Sequence, residues 1–420
     1  MNADPDLSGQ TLKSLGMRAR AAAVDLARAP ASARDEALRQ AAKALRTKAA
    51  DILAANAQDM ARFNGTAAFG DRLLLTPERL EAIAQGVEDI AALPDPLART
   101  LAEWTRPNGL KISRIAQPIG VLGMIYESRP NVGADAAAIA LKSGNAIILR
   151  GGSESFYSAQ AIHTAITAGL RAAGLPAAAV QVAPTTDREF VAEMLAAVDY
   201  IDLIIPRGGK TLVELVQRQA RVPVLSHAEG LNHTYVHESA NPEMARAIVA
   251  NAKLRRTGVC GATETLLIDA AIAPALLPSL VDDLAALGCS FKADARARAL
   301  CPALPAATDA DFDTEWLDAI LNIAVVDGPD AALAHIHAHG SEHTEAIIAE
   351  DAEIAEAYLA RSRAAVTLWN ASTQFCDGGE FGFGAEIGIA TGHIHARGPV
   401  GPEQLTIFRY VVRGHGQVRP

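Results

Sequence analysis

The first hundred residues are dominated by apolar positions at helical spacing. Between Ser32 and Arg62, apolar side chains recur every three or four positions among charged ones, which predicts one amphipathic helix. A second helix is predicted from Pro77, a residue favoured in a first helical turn, to Leu93. The apolar positions of the first segment are Leu38, Ala42, Leu45, Ala49, Ile52, Leu53 and Met60.

Prolines and glycines then break the helical pattern, and alternating residues follow from Leu110 to Tyr126. We predict two strands here, joined at a bend over Pro118–Gly120 as a hairpin. Its moderately apolar residues could form an interaction edge, or the hairpin could pack on the surface of its own domain.

From Asp135 onward, short apolar runs alternate with helical segments, which is typical of βαβ units and a mostly parallel sheet. The fold class predicted is therefore α/β. The predicted strands are Ala146–Leu149, Val180–Ala183, Asp202–Ile205, Thr234–Val236, Glu264–Ile268 and Ile323–Val326. The predicted helices are Ser155–Ala173, Lys210–Ala220, Pro242–Lys253 and Ala273–Leu287.

The chain has 420 residues, half of them hydrophobic, which is enough for two domains with buried cores. No apolar run approaches the roughly 20 residues of a membrane span. Met1–Arg20 carries Asp4 and Asp6 where a secretory signal would need an apolar stretch, so the expected location is the cytoplasm. A net charge of −10 disfavours a nucleic-acid partner and favours small-molecule chemistry.

Cys260 is the cysteine with the most reactive surroundings. The four cysteines lie far apart and form no Cys-x-x-Cys pair, which argues against disulfides and structural zinc. Gly258 and Gly261 flank Cys260 between a predicted helix and a predicted strand, and Arg255 and Arg256 precede it. This pattern favours either an exposed thiolate nucleophile in a sharp loop or a buried structural cysteine.

Two glycine pairs each follow a predicted strand and precede a helix. Gly151 and Gly152 come after Arg150, and Gly208 and Gly209 come after Arg207. Glycine lets backbone amides approach a phosphate there, and the cations add charge, although a tight turn would explain either pair as well.

Histidines cluster at positions 335, 337, 339 and 343, but no nearby Cys or Asp completes a set of metal ligands. We therefore expect no metal and interpret the cluster as a partly exposed helix end. The glycine-dense segment 377–384 is of the kind that closes over a ligand.

Several segments together resemble the gamma-glutamyl phosphate reductases, a family of the aldehyde dehydrogenase superfamily. The similarity runs in order from about residue 10 to Arg419. The segments that carry it are Thr257–Leu267, Tyr126–Val132, Ile148–Gly152, Ile205–Gly209, Glu380–Ile389, Ile394–Pro399 and Arg409–Gly414.

The resemblance implies a fold of three parts. These are a Rossmann-type, parallel-sheet cofactor domain (1–108, 129–230 and 359–390), an α/β catalytic domain (231–358) and a small β oligomerisation flap (109–128 and 391–420). The segments Leu110–Tyr126 and Leu405–Arg413 would build the flap. The implied assembly is a homo-oligomer, a dimer or tetramer, and association with glutamate 5-kinase is compatible with it.

The implied reaction is reduction of L-glutamyl 5-phosphate by NADPH to glutamate 5-semialdehyde, the second step of proline biosynthesis. Cys260 would form a thioester, and its backbone N–H with Ser128 or Asn131 would hold the oxyanion. His227 falls near the position of the water-activating glutamate of aldehyde-oxidising relatives, with Glu229 two residues on. Without that base, no water would be activated to hydrolyse the thioester. Gly261 stands where the family pattern has asparagine.

The resemblance also suggests binding residues. Arg150 suits the 2′-phosphate of NADPH, so NADPH is preferred over NADH. Glu315 would bind a cofactor ribose or form a structural salt bridge. Arg129, His395 and Arg397 would bind the substrate's carboxylates or phosphate, or form ordinary ion pairs. The competing functions are a general NAD(P)-dependent aldehyde dehydrogenase and a catalytically idle homologue with a binding or structural role.

Overall fold

The computed structural model describes residues 11–127, 129–225 and 229–419. It divides into two compact units. The first unit comprises Met1–Ser226, Gly382–Gly388 and Val400–Pro420, and the second comprises His227–Phe381 and Ile389–Pro399.

Nine helices of the described residues belong to the first unit. Thr76 caps α5 by accepting a hydrogen bond from the Arg79 N–H, and Pro77 occupies the first turn as expected. The helices are α1 Leu12–Arg28, α2 Ala31–Thr47, α3 Ala49–Arg62, α4 Ala67–Leu73, α5 Pro77–Ala92, α6 Pro130–Lys142, α7 Phe156–Ala172, α8 Arg188–Ala196 and α9 Lys210–Gln219.

The single helix predicted over residues 32–62 is wrong, because α2 and α3 are separate. Lys48 leaves the helical conformation between them, with φ −96° and ψ 16°. The buried face of α3 also contains Asn56 and Asp59, whose side chains bind the backbone N–H groups of Leu75 and Ser158. A hydrophobicity pattern does not assign such polar positions to a core.

A four-stranded parallel sheet forms the centre of the first unit and confirms the βαβ prediction. Its order is β5-β4-β3-β6, with β3 Val121–Tyr126, β4 Ala146–Arg150, β5 Val180–Val182 and β6 Leu203–Arg207. The chain builds β3, β4 and β5 in one direction and then places β6 on the other side of β3. The order therefore reverses between β3 and β6, the kind of position where open parallel sheets bind ligands.

A separate antiparallel sheet contains β1 Thr100–Thr105, β2 Lys111–Pro118 and β15 Thr406–Arg413, with β2 in the middle. The predicted hairpin over residues 110–126 is therefore wrong, since β2 and β3 lie in different sheets. The Gly120 N–H donates to Asn145 Oδ1 and the Val121 N–H to Asp202 Oδ2, which aligns β3 with the parallel sheet instead. The pairing of β2 with β15 agrees with the flap that the resemblance implied, whereas β1 was not predicted.

The second unit contains a six-stranded parallel sheet of order β12-β11-β7-β8-β10-β9. Its strands are β7 Asn232–Val236, β8 Thr263–Asp269, β9 Ser290–Ala293, β10 Ile320–Val326, β11 Thr344–Ile348 and β12 Val366–Trp369. Its helices are α10 Pro242–Leu254, α11 Ala273–Ala286, α12 Ala295–Leu300, α13 Asp309–Phe312, α14 Gly328–His339 and α15 Ala352–Arg361. A short antiparallel pair, β13 Ile389–Ala390 and β14 Gly398–Pro399, completes the unit.

The boundary expected near residue 359 differs from the structure. β12 pairs with β11, so residues 359–381 belong with the second unit and not with the first. The short pair β13–β14 likewise removes 391–399 from the expected flap segment.

Among the described residues, no helix is both long enough and apolar enough to cross a membrane.

Candidate active site

Cys260 lies in a tight turn between α10 and β8, as the sequence predicted. The turn includes a hydrogen bond from the Ala262 N–H to the Val259 carbonyl. The thiol is half-buried. It packs on a small apolar cluster formed by Val366, Leu368, Cys376 and Ile389. The Cys260 side chain is thus partly accessible while its backbone is held in place. A nucleophile needs both.

The turn is braced by the segment 372–376. Gln374 Nε2 donates to the carbonyls of Ala252 and Arg256, at 3.0 and 3.1 Å. The Thr263 hydroxyl hydrogen-bonds those of Thr234 and Thr373, at 2.7 and 3.0 Å. No sequence pattern indicates this support, because polar residues scattered over three segments become neighbours only in the fold.

Two glycines allow the close packing around Cys260. A Cβ at position 230 would lie 2.1 Å from the Cys260 carbonyl oxygen, so only glycine fits there. A Cβ at Gly261 would lie 3.3 Å from the Thr373 carbonyl oxygen, which is tight. Glycine in place of the asparagine that the resemblance led us to expect therefore suits the close approach of segment 372–376.

Asn232 was missed by the sequence analysis. Its amide nitrogen donates to the carbonyls of Cys260 and Ala262, at 2.6 and 2.9 Å. The available signal was a polar residue just before the predicted strand Thr234–Val236, a strand that in the structure begins at Asn232 itself.

Glu315 lies in the same unit as Cys260. Its Oε1 accepts a hydrogen bond of 3.0 Å from the Gly230 N–H, next to the glycine that contacts the Cys260 backbone. This contact is neither of the two roles expected for Glu315, ribose binding and a salt bridge.

Arg150 and its glycine pair occupy the carboxyl end of β4 in the first unit. The guanidinium donates to the carbonyls of Gly151 and Thr186, at 2.9 and 2.5 Å. A Cβ at Gly151 would lie 2.9 Å from the Tyr126 ring, so this position requires glycine. Gly152 precedes a 3-10 turn that leads into α7.

A cavity of about 850 Å³ opens beside this segment. It is lined from one side by Ser153, Glu154 and Tyr157 and from another by Pro184, Thr185 and Thr186, with residues between Asp59 and Phe69 completing the wall. The Thr186 carbonyl bound by Arg150 ties the guanidinium to the edge of the cavity. The size and position suit part of a dinucleotide.

The second glycine pair lies at the reversal between β3 and β6. The Gly209 N–H, at the start of α9, donates to Glu127 Oε1 at 2.8 Å, and a Cβ at Gly208 would lie 2.7 Å from the same side chain. Arg207 is half-buried, and its carbonyl accepts from the Glu127 N–H. A carboxylate of the chain itself therefore binds the amide that was expected to face a phosphate.

Arg129 and Asn131 lie at the start of α6, whereas Ser128 and His227 lie outside the described residues. Arg129 is the N-cap and is exposed, and its N–H donates to the Glu127 carbonyl. Asn131 Nδ2 donates to Asp135 at 3.1 Å. Burial raises the pKa of Asp135 to about 6, although this hydrogen bond and Arg207 oppose the rise.

His395 and Arg397 belong to the loop between β13 and β14. Arg397 donates to the Thr391 and Arg363 carbonyls and to Glu342, which also binds His393. The guanidinium thus holds the loop in place, as the ordinary ion-pair alternative predicted. His395 is exposed and adopts a left-handed conformation, φ 73°, which is unusual for a residue with a Cβ.

Three of the clustered histidines lie on α14 and His343 lies beyond its end. Burial lowers the pKa of His335 to about 3, so this ring is neutral. Over residues 11–127, 129–225 and 229–419, no group of three or more His, Cys, Asp or Glu side chains is arranged to hold a metal ion.

Comparison with known proteins gives consistent matches over most of the chain. The model of the aldehyde dehydrogenase family matches residues 5–302. A gamma-glutamyl phosphate reductase of Acidiphilium cryptum is 69% identical over 97% of both chains, and one of Gluconobacter oxydans is 66% identical over 98% of this chain and 97% of its own. The crystal structure of the Thermotoga maritima gamma-glutamyl phosphate reductase superposes with a TM-score of 0.96 at 39% identity, covering 98% of this chain and all of the other.

Proposed function

The chain belongs to the gamma-glutamyl phosphate reductases within the aldehyde dehydrogenase family, and we propose that it reduces L-glutamyl 5-phosphate to L-glutamate 5-semialdehyde and phosphate. This is the second step of proline biosynthesis. The observation that carries the proposal is the half-buried Cys260, held in a braced turn of a chain that matches these enzymes over nearly its full length.

Cys260 is the proposed nucleophile. Its thiolate sulfur bonds to the acyl-phosphate carbon, and the bond from that carbon to the phosphate oxygen breaks, which releases phosphate and leaves a thioester. The thioester carbon would then accept a hydride, which is the chemistry that bound NADPH would supply. The resulting thiohemiacetal then collapses, which frees the aldehyde and returns the thiol.

The oxyanion that forms on the substrate needs donors already in place. We propose the Cys260 backbone N–H for this role, with Ser128 or Asn131. Asn131 Nδ2 donates one hydrogen to Asp135 in the structure, so an oxyanion would be bound by the second N–H of the same amide.

Members of the aldehyde dehydrogenase family use a nicotinamide cofactor, and the first unit has features that fit one. The cavity beside β4 and β5 would take the adenosine portion, and Arg150 at its edge would pair with the 2′-phosphate. Gly151, Gly152, Gly208 and Gly209 would let the backbone approach the remaining phosphates, in competition with Glu127 at Gly209. Glu315 is the residue proposed to bind a cofactor ribose.

Substrate anions would be bound by Arg129 and His395, which are both exposed in the structure. Arg397 would act either directly or by holding the loop that carries His395. These residues would supply the local positive charge that an anionic substrate needs on a chain of net charge −10.

We further propose a homo-oligomer assembled through the sheet of β1, β2 and β15. Its last strand exposes Phe408, Tyr410 and Val412 on one face, an apolar row of the kind that marks an interface, and Ile407 on the other face. Glutamate 5-kinase is a further proposed partner, because an acyl phosphate is labile in water.

The four free cysteines fit a reducing compartment, so we propose the cytoplasm as the location.

The proposed activity is tested in the reverse direction. NADP⁺ reduction is followed with glutamate 5-semialdehyde, with and without phosphate, in the wild type, Cys260→Ala and the control Cys301→Ala. We expect a phosphate-dependent signal that only Cys260→Ala abolishes. Oxidation that does not need phosphate would indicate a hydrolytic aldehyde dehydrogenase, and no signal with any aldehyde would indicate an idle homologue.

A further inference from the structure

Asn232 is the first residue of β7, and its side chain is fully buried beside the Cys260 turn. We propose that Asn232 is a positioning residue, which sets the direction of the Cys260 side chain by fixing the backbone carbonyls of Cys260 and Ala262. The proposal rests on the role of Cys260 as nucleophile. It adds a residue that touches no reacting atom and acts only through the backbone.

The hydrogen bonds of Asn232 leave its amide one orientation. Both carbonyls on one side, those of Cys260 and Ala262, can only accept, so the nitrogen faces them at 2.6 and 2.9 Å. On the other side Oδ1 accepts from the Thr344 N–H of β11, at 3.1 Å. Asn232 therefore connects the catalytic turn to the central part of the six-stranded sheet.

The two carbonyls need this donor because the strand ladder is irregular there. The pairing of β7 with β8 changes register between Asn232 and His233, at the point where β8 begins. The Asn232 side chain donates instead to the carbonyls of Cys260 and Ala262, just before Thr263. A buried carbonyl left without a donor would cost about 1–3 kcal/mol.

The Cys260 carbonyl is confined on a second side by Gly230. A Cβ at that position would lie 2.1 Å from the carbonyl oxygen and 2.8 Å from its carbon. Gly230 is itself held, because its N–H donates to Glu315. The carbonyl thus sits between a glycine that leaves it just enough room and an amide that binds it.

Fixing this carbonyl also directs the thiol. The peptide group is planar, so the direction of the Cys260 carbonyl sets the last backbone torsion of that residue and, with it, the direction of the Cα–Cβ bond. A displacement of about 1 Å at a reacting group can cost roughly 100-fold in rate. A small rotation of this peptide therefore changes turnover without touching cofactor or substrate.

The test compares Asn232→Ala, Asn232→Ser and Asn232→Asp with the matched control Asn322→Asp. Asn322 is equally buried in the same sheet, but its side chain binds Asp311, Thr265 and Trp316 and not the Cys260 turn. We expect kcat to fall about 10- to 100-fold in Asn232→Ala and less in Asn232→Ser, which keeps one donor, while the KM for NADPH stays within about twofold. The control should keep the kcat of the wild type.

A second measurement needs neither substrate nor cofactor. It therefore tests the role of Asn232 independently of the proposed enzymatic activity. The rate of Cys260 alkylation by iodoacetamide is measured between pH 6 and 10 by peptide mass spectrometry. Asn232→Asp should shift the profile to higher pH, because its carboxylate disfavours the thiolate, whereas Asn322→Asp should leave it unchanged. Equal effects in both variants, or none at Asn232, would overturn the proposal even if the wild type proved inactive on glutamyl phosphate.

If no Asn232 variant folds, hydrogen exchange of the wild type decides. We expect the Ala262 amide, which donates to the Val259 carbonyl within the turn, to exchange as slowly as the amides of β8, because the turn is tied into the sheet. Exchange at the rate of an exposed loop would overturn the proposal that Asn232 holds the turn against the sheet.

Discussion

Lys253 Nζ lies 2.6 Å from Glu264 Oε2, and both side chains are at least 98% buried. The pair joins the last turn of α10 to β8, the two elements between which the Cys260 turn is suspended. Glu264 Oε1 also accepts from the Leu317 N–H. The ion pair therefore holds together the two ends of the Cys260 turn.

Removal of one partner of this pair should destabilise the protein strongly. Glu264→Ala leaves a buried ammonium uncompensated, which costs about 3–5 kcal/mol of unfolding free energy. Urea denaturation followed by circular dichroism measures the loss. As a control, Asp327→Ala breaks the exposed Arg296–Asp327 pair and should cost less than about 1 kcal/mol. Equal losses in the two variants would contradict the structural assignment.

The stability of the protein should also depend on pH through Glu264. Burial raises the pKa of this carboxyl from its ordinary 4.5 to about 7, against the opposing effect of Lys253. The folded state therefore binds this proton more tightly than the unfolded chain, so Glu264 makes stability fall as pH rises from about 4.5 to 7. In Glu264→Gln, urea unfolding at several pH values should show a shallower fall across that window. An unchanged slope would exclude Glu264 as the cause.

Arg150→Ala should weaken binding of NADPH and leave NADH nearly unaffected. A guanidinium–phosphate pair contributes about 1.5–3 kcal/mol, which corresponds to a rise in the KM for NADPH of roughly 10- to 100-fold. Initial rates with both cofactors give the ratio directly. Arg221→Ala, an exposed arginine of the same unit, is the matched control. A parallel rise in both KM values would place the 2′-phosphate elsewhere.

Val412→Asp should dissociate the oligomer. Val412 is 54% exposed on β15, and a carboxylate in a buried apolar interface is costly unless it is paired. Light scattering after gel filtration should show a smaller mass than for the wild type. Val418→Asp adds the same charge at an exposed residue beyond β15 and should keep the wild-type mass. If both variants keep it, the chain assembles through another surface.

The elements with strong periodicity were predictable, and the partners of those elements were not. The helix from Pro77 and the strand from Ala146 follow from local pattern and capping. The pattern of β2 and β3 also gave two correct strands. However, whether neighbouring strands pair depends on contacts such as Val121 with Asp202, which are 81 residues apart.

In the candidate site, too, the local sequence predicted individual residues but not their partners. Cys260 stood out because glycines and arginines next to it in the sequence suggested a reactive loop. Asn232 and Gln374 act on that loop from positions 28 and more than 100 residues away, through backbone carbonyls that carry no sequence signature. Glu127 could not be foreseen at Gly209 for a similar reason, since a glycine pair says nothing about which anion approaches it.

Only Ile119 and Gly120 separate β2, the middle strand of the exposed three-stranded sheet, from β3 in the parallel sheet. The link is stiff, because Asn145 and Asp202 bind its amides and a Cβ at Gly120 would collide with Asp202. The exposed sheet therefore has little freedom to move relative to β3. Since β3 ends at Tyr126, directly before Glu127, this short link also ties the exposed sheet closely to the carboxylate that binds the Gly209 amide.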